Sequence, residues 1–596
     1  MPASPKRVSA KAGNRRSLLW IAAVLAAFAV LLAVSGGVRA TVGGFRISAR
    51  SPLPVSMAAV LTMAAWWLLA RRANSVTSDL DAAWSALERH SASIIVAVAM
   101  VSAAVSAIFA TNSASGADAS GYLSEAAQWA SAQLFHHDAL AVAIGAVDPW
   151  LTTPLGWRPG PELGLQSPTY PPGLPLLMAL PHAVGGTAAA ALIVTASAAV
   201  AVWATGLLAS RLAGGAAGVV AALALAATPV FLFQSVQPMS DVPVTAAWML
   251  TWLLLSLGPG IGDQGSGRER GFTRMVLAGS CCALAVLIRP NLAPLAAIPL
   301  FAIGAHTRRL VLFSTPVAIA GLALMWLQWQ WYGSPLRSGY GTADELFALS
   351  NVGPNASRYF SWLLATTPAL LMAPVGMAIA WRHRLTRALA TFGALVVAAY
   401  LVYAVFDGWS YLRFLLPALA VAAVFTGIVI AETLRRVPVQ WRVIGALAVV
   451  LGISAHGVSQ ARGLETFRLA DQQRRVSQVA EFLLTTLPSD AVIVAGEQSG
   501  SLRYYTGRSI VRWDSATPDT LASALAALTT EGRAVVIALD AWERAPFRAR
   551  HGRVSAVTLD WPPAFEGGTS HRTQVWRLED RDAFQRGDRV TTIKTP

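Results

Sequence analysis

The chain has 596 residues, 55% hydrophobic and only 13% charged, with a mean hydropathy of +0.52. Soluble domains carry about 25% charged residues, so the composition excludes a soluble globular protein and defines an integral membrane one. The 46 basic and 31 acidic residues leave a net charge of +15. Much of it sits in short segments between apolar runs, where it sets orientation and does not imply nucleic acid as a partner.

Spanning the hydrocarbon core takes about 20 apolar residues. By that rule spans are predicted near 18–36, 52–70, 92–110, 187–210, 213–233, 241–257, 274–289, 291–305, 309–327, 359–380, 386–405, 412–433 and 441–457, thirteen in all. The first run, Leu18 to Val34, has no small-residue cleavage site after it and reads as an uncleaved anchor. The short pair around Pro290 predicts a tight hairpin or a broken helix, and Pro172 to Pro181 is too brief to span and is expected in the interface. Cys281 and Cys282 are adjacent in an apolar run and fit neither a disulfide nor a zinc spacing. They are expected to be buried as small apolar side chains.

Basic residues set the topology. Lys6, Arg7, Lys11, Arg15 and Arg16 form a tail at 1–17; Arg71, Arg72, Arg89, Arg268, Arg270, Arg274, Arg308, Arg309, Arg382, Arg384, Arg387, Arg435, Arg436 and Arg442 fall on the same side. Arg39, Arg46 and Arg50 in the first opposite loop are the exception. The N-terminus is thus predicted cytoplasmic and the C-terminus outside, in a multi-pass cell (plasma or inner) membrane protein. The membrane domain is 18–457, with an outer loop at 111–186.

From about Ser459 the composition becomes that of a soluble protein. AVIVAG (491–496), SIVRWD (509–514), AVVIALD (534–540) and VSAVTLDW (554–561) read as strands. They alternate with helical stretches such as 518–532, with Thr517 or Asp519 as the start signal and Gly532 as the stop. A small extracytoplasmic α/β domain over 458–596 is predicted. GEQSGS after its first strand is a turn suited to an anion at a helix N-terminus, although it is not GxGxxG.

The orientation collects the unusual polar residues on the outer face. They are Asp118, TYPPGLP around Tyr170, QPMSDVP around Asp241, IRPN at Arg289, WYGSPLRSGYG with Arg337, and DGWSYLRF with Arg413. A carboxylate at a lipid boundary is costly unless it has a partner or a task. Asp118 has two compatible readings, a helix N-cap near Ser120 and a general base beside Tyr122 and Trp129. Glu125 lies two helical turns along, either assisting it or solvated. Asp241 opens a span as a cap or as a second acid orienting a substrate. Arg413, Arg289 and Arg337 are candidates for a phosphate, since the planar guanidinium suits phosphate oxygens; the other reading of Arg413 is an interfacial side chain snorkelling to headgroups. His136, His137 and Asp138 suggest a metal but lack a third ligand at helical spacing, so solvated loop residues are the plainer reading. Several of the 21 tryptophans, Trp326, Trp329 and Trp331 among them, sit at span ends as an aromatic belt.

Taken in order, Asp-x-x-x-Tyr (118–122), YPPGLPLL (170–177), SDVP (240–243), IRPN (288–291), YGSPLRSGYG (332–341) and YLRFLLP (411–417) resemble the GT-C fold glycosyltransferases. The likeness is to the branch of protein O-mannosyltransferases and the bacterial lipid A aminoarabinose transferase. It implies an inverting transfer of sugar from a polyprenyl-phosphate donor to an acceptor hydroxyl on a glycan, lipid or protein at the outer face. It also assigns the catalytic carboxylate to Asp118 and matches Asp241 more loosely; Tyr122, Tyr170, Glu125, Arg289, Arg337 and Arg413 are the candidates for holding the substrates. The acidic motif is a lone Asp where the family has Asp-Glu, so no cofactor is expected and a divalent metal is the lesser alternative. A flippase or transporter of a lipid-linked sugar and a non-catalytic membrane sensor are the competing classes. Membrane lipids are partners in every case.

Overall fold

In a computed structural model the described residues are 5–35, 37–42, 45–49, 51–257, 267–568 and 571–595. Arg50 and the side chains of Lys6, Arg7, Lys11, Arg39, Arg46, Arg268 and Arg270, on which part of the orientation reading rests, lie outside the described atoms. The chain is mostly helical. Eight described helices are long and apolar enough to cross a membrane, ten if two bent pairs each count as one, and Asp241–Ser256 and Pro290–Ile303 are shorter apolar helices.

Differences from the thirteen predicted spans have local causes. The first helix, Pro5–Ser35, takes in most of the predicted basic tail. Arg15 reaches the fully buried Asp79 at 2.5 and 3.0 Å, and Arg16 adds a third bond at 3.1 Å. The 359–380 run is two helices bent by 114° at Thr367–Pro368. The proline has no N–H to give and disfavours helical geometry at the residue before it, where Thr367 has φ −145° and ψ 55°. A bend of 64° likewise divides 215–235 ahead of Pro229. The helix Gly173–Ala213 breaks at Gly185 and Gly186, the latter at φ 63°. This gives the TYPPGLP segment a separate helical stretch with Leu180 and Val184 exposed.

Asp241–Ser256 has 16 residues, about 24 Å at the helical rise. It runs among other helices, with Trp248 and Trp252 fully buried. At the centre, 89% of the best 18-residue window in Trp409–Arg436 is buried; in Val439–Gly463 the figure is 6%. The sequence of the former is apolar on every side, as a helix without a wet or lipid face should be.

Five short strands precede the C-terminal domain. β1 (Val38–Val42) and β2 (Phe45–Ala49) form a hairpin, and β3 (His136–His137), β4 (Trp157–Pro159) and β5 (Leu165–Pro168) a small sheet in the order β3-β5-β4. The C-terminal sheet contains β6 (Val492–Ala495), β7 (Ser509–Arg512), β8 (Val535–Asp540), β9 (Phe565–Gly567), β10 (Thr573–Arg577) and β11 (Ile593–Thr595), ordered β11-β9-β10-β8-β6-β7. Strand β6 is parallel to both β7 and β8, and β10 is antiparallel to β8 and β9. Alternate residues serve opposite faces. Val492, Val494, Ile537 and Leu539 pack with Leu521, Leu525 and Leu528 on one side; Ile493, Ala495, Val536 and Ala538 pack with Val479, Phe482 and Leu483 on the other. Thr517 caps the helix Pro518–Thr530 in a box with Thr520, and Gly532 follows at φ 67°. Thr517→Ala is expected to destabilise the full chain by about 1 kcal/mol, read from thermal unfolding in detergent.

The predicted strand at 554–561 does not form. Ser555–Val557 is a short 3-10 turn, Leu559 takes φ 55°, and Val557, Leu559 and Trp561 enter the core from an irregular segment. Hydrophobic spacing alone does not distinguish that arrangement from a strand.

Candidate active site

The helix Gly116–Ala130 begins after Ser115, an extended N-cap residue, so Asp118 lies in the first turn and is not the cap. A negative charge there is favoured by the helix dipole. Its two carboxylate oxygens have different partners. Tyr170 Oη donates to Oδ1 at 2.7 Å, and Arg413 Nη2 lies 2.8 Å from Oδ2. The Asp118 side chain is still 31% exposed. Removal from water works toward the neutral acid, but the charge of Arg413, the bonds from Tyr170 and Arg413, and the charge of Arg289 outweigh it. The Asp118 pKa lies below the ordinary carboxylate value, so the group is ionised at neutral pH.

A second pair lies behind the first. Arg289 is bound through Nη2 to Oδ1 of Asp241, and both are buried. Ser240, not Asp241, occupies the N-cap position of that helix. Arg289 Nη1 and Asn291 Nδ2 both donate to Tyr400 Oη, at 3.1 and 3.0 Å. The Phe414 ring lies 5.3 Å from the Arg413 guanidinium and 5.4 Å from that of Arg289. Tyr122 Oη donates to Ser240 Oγ at 2.9 Å, tying the Asp118 helix to the start of the Asp241 helix. Asp241 Oδ2 and Arg413 Nε are buried without a hydrogen-bond partner. Polar atoms left this way inside a protein call for an explanation.

The remaining motif segments converge here. Tyr170 packs on Tyr122 at 4.6 Å and on Tyr340 at 5.8 Å. A Cβ at Gly339 would fall 1.9 Å from the Thr169 carbonyl oxygen, so only glycine permits this approach of the 333–341 loop. Arg158 Nη1 fixes the loop by donating to Gly339 O at 2.5 Å. Arg337 is exposed in the loop and makes no ion pair with either aspartate.

Two expectations change. Glu125 belongs to a different cluster from Asp118: it is 1% exposed, accepts from Trp129 Nε1 at 3.0 Å, and its Oε2 has no partner. Burial pushes its pKa well above the ordinary value despite the Trp129 bond. His136, His137 and Asp138 are not arranged as ligands, and no group of three or more His, Cys, Asp or Glu residues able to hold a metal occurs among the described residues. His136 Nε2 instead accepts from Arg503, whose Nη1 donates to Gln166 Oε1 at 2.9 Å. Gln166 in turn donates to Asp138 at 3.0 Å.

This chain of bonds joins the 111–186 loop to the C-terminal domain. Burial, then the charges of Arg503 and His137, lower the His136 pKa to about 4. The unfolded chain therefore binds a proton that the folded one refuses as pH falls from about 6.5. Stability is expected to drop through that range down to about pH 4, and His136→Gln to flatten the dependence in thermal unfolding curves.

The same junction accounts for GEQSGS. The helix Ser499–Thr506 packs against the Asp118 helix: Ser499 Oγ accepts from Leu155 N at 3.0 Å, Ser501 Oγ from Gly116 N at 3.1 Å, and Tyr505 Oη from Ala114 N at 2.8 Å. A Cβ on Gly500 would lie 2.2 Å from Leu155 O and 2.6 Å from Ser120 Oγ. The expected anion position is thus filled by the 111–186 loop. Gly500→Ala must push the domain off this contact and is expected to cost about 1–3 kcal/mol; faster limited proteolysis at the junction is the check.

Sequence reasoning missed Tyr400 as a member of the site, and Ser240, although inside the SDVP motif, was not singled out by itself. Tyr400 ends an apolar run and carries no local signal. Asn291, Tyr340 and Phe414 lie inside motifs singled out from the sequence, but their partners depend on distant helices.

An apolar helical bundle with its polar loops gathered at one end and an α/β domain beyond is the GT-C architecture. Residues 169–331 match the dolichyl-phosphate-mannose-protein mannosyltransferase family. ArnT from Cupriavidus metallidurans in the apo state is similar at 14% identity and a TM-score of 0.50, over 81% of this chain and 97% of that one. The same protein bound to undecaprenyl phosphate gives 13% identity and 0.49 over the same shares. The apo oligosaccharyltransferase of Archaeoglobus fulgidus gives 13% and 0.45, over 78% of this chain and 72% of that one. No curated protein matches.

Proposed function

We propose that the chain is an inverting glycosyltransferase that moves a sugar from a polyprenyl-phosphate donor to an acceptor hydroxyl at the outer face of the cell membrane. The observation that carries this reading is the paired arrangement of Asp118 with Arg413 and Asp241 with Arg289, with Asp118 31% exposed and one unsatisfied polar atom on each pair. The match of residues 169–331 to a family named for a lipid-phosphate sugar donor supports the donor class.

The chemistry follows from competition for Arg413. While that guanidinium pairs with Asp118, the carboxylate is a weak base. A donor phosphate drawing Arg413 toward itself relieves Asp118 of the positive charge that depresses its pKa. Asp118 then takes the proton of the acceptor hydroxyl as the hydroxyl oxygen bonds to the anomeric carbon from the face opposite the phosphate. The bond from that carbon to the phosphate oxygen breaks with its electron pair on the oxygen, where Arg413, backed by Arg289, stabilises the charge. Tyr170 holds Asp118 in place, and Tyr340, which packs on the buried Tyr170 and is itself exposed, offers a ring to a sugar face. No cofactor enters this scheme, and treatment with a chelator is expected to leave turnover unchanged. The outer loop 111–186 and the domain 458–596 would lie outside the cell, with the N-terminus in the cytoplasm and the acceptor between loop and domain.

The test is to incubate purified protein with a panel of polyprenyl-phosphate sugars, following sugar release or transfer and the binding of undecaprenyl phosphate. Absence of both would overturn the proposal.

A further inference from the structure

One carboxylate near Asp118 has no role in that scheme and comes from another domain. Glu497 follows β6 directly, in the turn that leads into the helix packed on the Asp118 helix. Its backbone is held firmly: Glu497 N donates to Glu543 Oε1 at 3.0 Å, and Gly496 is wedged against Glu543 and Trp513. Three residues on, Gly500 sits on Ser120 and Leu155 without room for a methyl group. The position of Glu497 relative to Asp118 is therefore fixed by close packing. The side chain itself is half-buried and makes no hydrogen bond or ion pair among the described residues.

The surrounding charges are mostly of the same sign. Asp540 at the end of β8, Asp118 across the junction and Asp514 after β7 repel Glu497, and Arg475 on the helix Leu469–Thr486 attracts it. Arg475 is itself committed to Asp540 at 3.2 Å. Burial, with these like charges, raises the Glu497 pKa above the ordinary value. An unpaired carboxylate held on a rigid frame among like charges calls for a task.

We propose that Glu497 is the residue through which the C-terminal domain sets the charge selectivity of the lipid-phosphate site, favouring the singly charged donor over the doubly charged product. The inference rests on the polyprenyl-phosphate reading above. The donor is a phosphodiester with one negative charge. When the sugar leaves for the acceptor and the phosphate oxygen keeps the electron pair, the product is a phosphate monoester approaching two charges near neutral pH. The acceptor proton resides on Asp118. A fixed negative charge at the rim repels the product more than the donor and so hastens its departure. Arg413 and Arg289 alone would bind the product more tightly.

The experiment is the binding of undecaprenyl phosphate to full-length protein in detergent, for the wild type, Glu497→Gln and Glu497→Asp. Glu497→Gln is expected to bind about three- to tenfold more tightly, the order of effect of removing one like charge close to a protein surface. Glu497→Asp, which keeps the charge, should stay near the wild type. The gap between wild type and Glu497→Gln should close as pH falls and Glu497 protonates, since both proteins are then neutral at this position. A purely structural role predicts weaker binding in both variants with no pH convergence. Equal or weaker binding by Glu497→Gln, with wild-type binding intact, overturns this inference alone. No binding by the wild type overturns the lipid-phosphate reading and takes the inference with it.

Discussion

Asp118→Asn is expected to bind undecaprenyl phosphate at least as well as the wild type while turning over about 10²–10⁴-fold more slowly. Asparagine keeps the shape and can still accept from Tyr170 Oη, so the fold should survive. What disappears is the proton acceptor. The charge partner of Arg413 disappears too, and a free Arg413 has more positive charge to offer an anion. Loss of turnover together with equal or tighter binding separates a base from a side chain needed only for binding. Comparable rates from the two proteins would remove Asp118 from the chemistry. Asp118→Ala does not serve as well, because it also withdraws the partner of Tyr170.

The second large effect concerns stability. Asp241→Ala leaves the Arg289 guanidinium buried without its counter-charge, and breaking a buried pair in this way costs about 3–5 kcal/mol. A strong fall in thermal unfolding temperature in detergent is the expected result. Adding Arg289→Met to Asp241→Ala should recover much of the loss, since removing both charges avoids stranding either. If the double variant regains stability without activity, the pair serves the reaction; if it regains both, the pair is a structural element and the phosphate role falls to Arg413 alone.

How much of this was legible beforehand can be judged from particular residues. Asp118, Asp241, Arg289 and Arg413 stand out in a sequence because charge is rare and expensive beside apolar runs, so each draws attention without a fold. Their pairing does not stand out. Asp118 is 295 residues from Arg413, and nothing local says that Arg413 chooses Asp118 and Arg289 chooses Asp241. Glu125 shows the opposite failure. Its spacing of seven from Asp118 suggests a shared helix face, but the contacts of the helix bury Glu125 against Trp129, away from the pairs. His136 and His137 look like the start of a metal site until Arg503, which approaches from the C-terminal domain, takes up His136. The bend at Thr367–Pro368 was readable in principle from the proline, whereas the failure of 554–561 to become a strand was not.

The sequence by itself determined that this is a polytopic membrane protein with a soluble α/β domain at its C-terminal end. Hydrophobic length and period are local properties, and the membrane and the sheet each enforce them residue by residue. It also determined which charged groups needed an explanation. Only the tertiary structure decided the partner of each charge, the exclusion of Glu125 from the site and the entry of Glu497 beside it. Those outcomes depend on how helices and domains pack, and packing selects among partners hundreds of residues apart that no local pattern ranks.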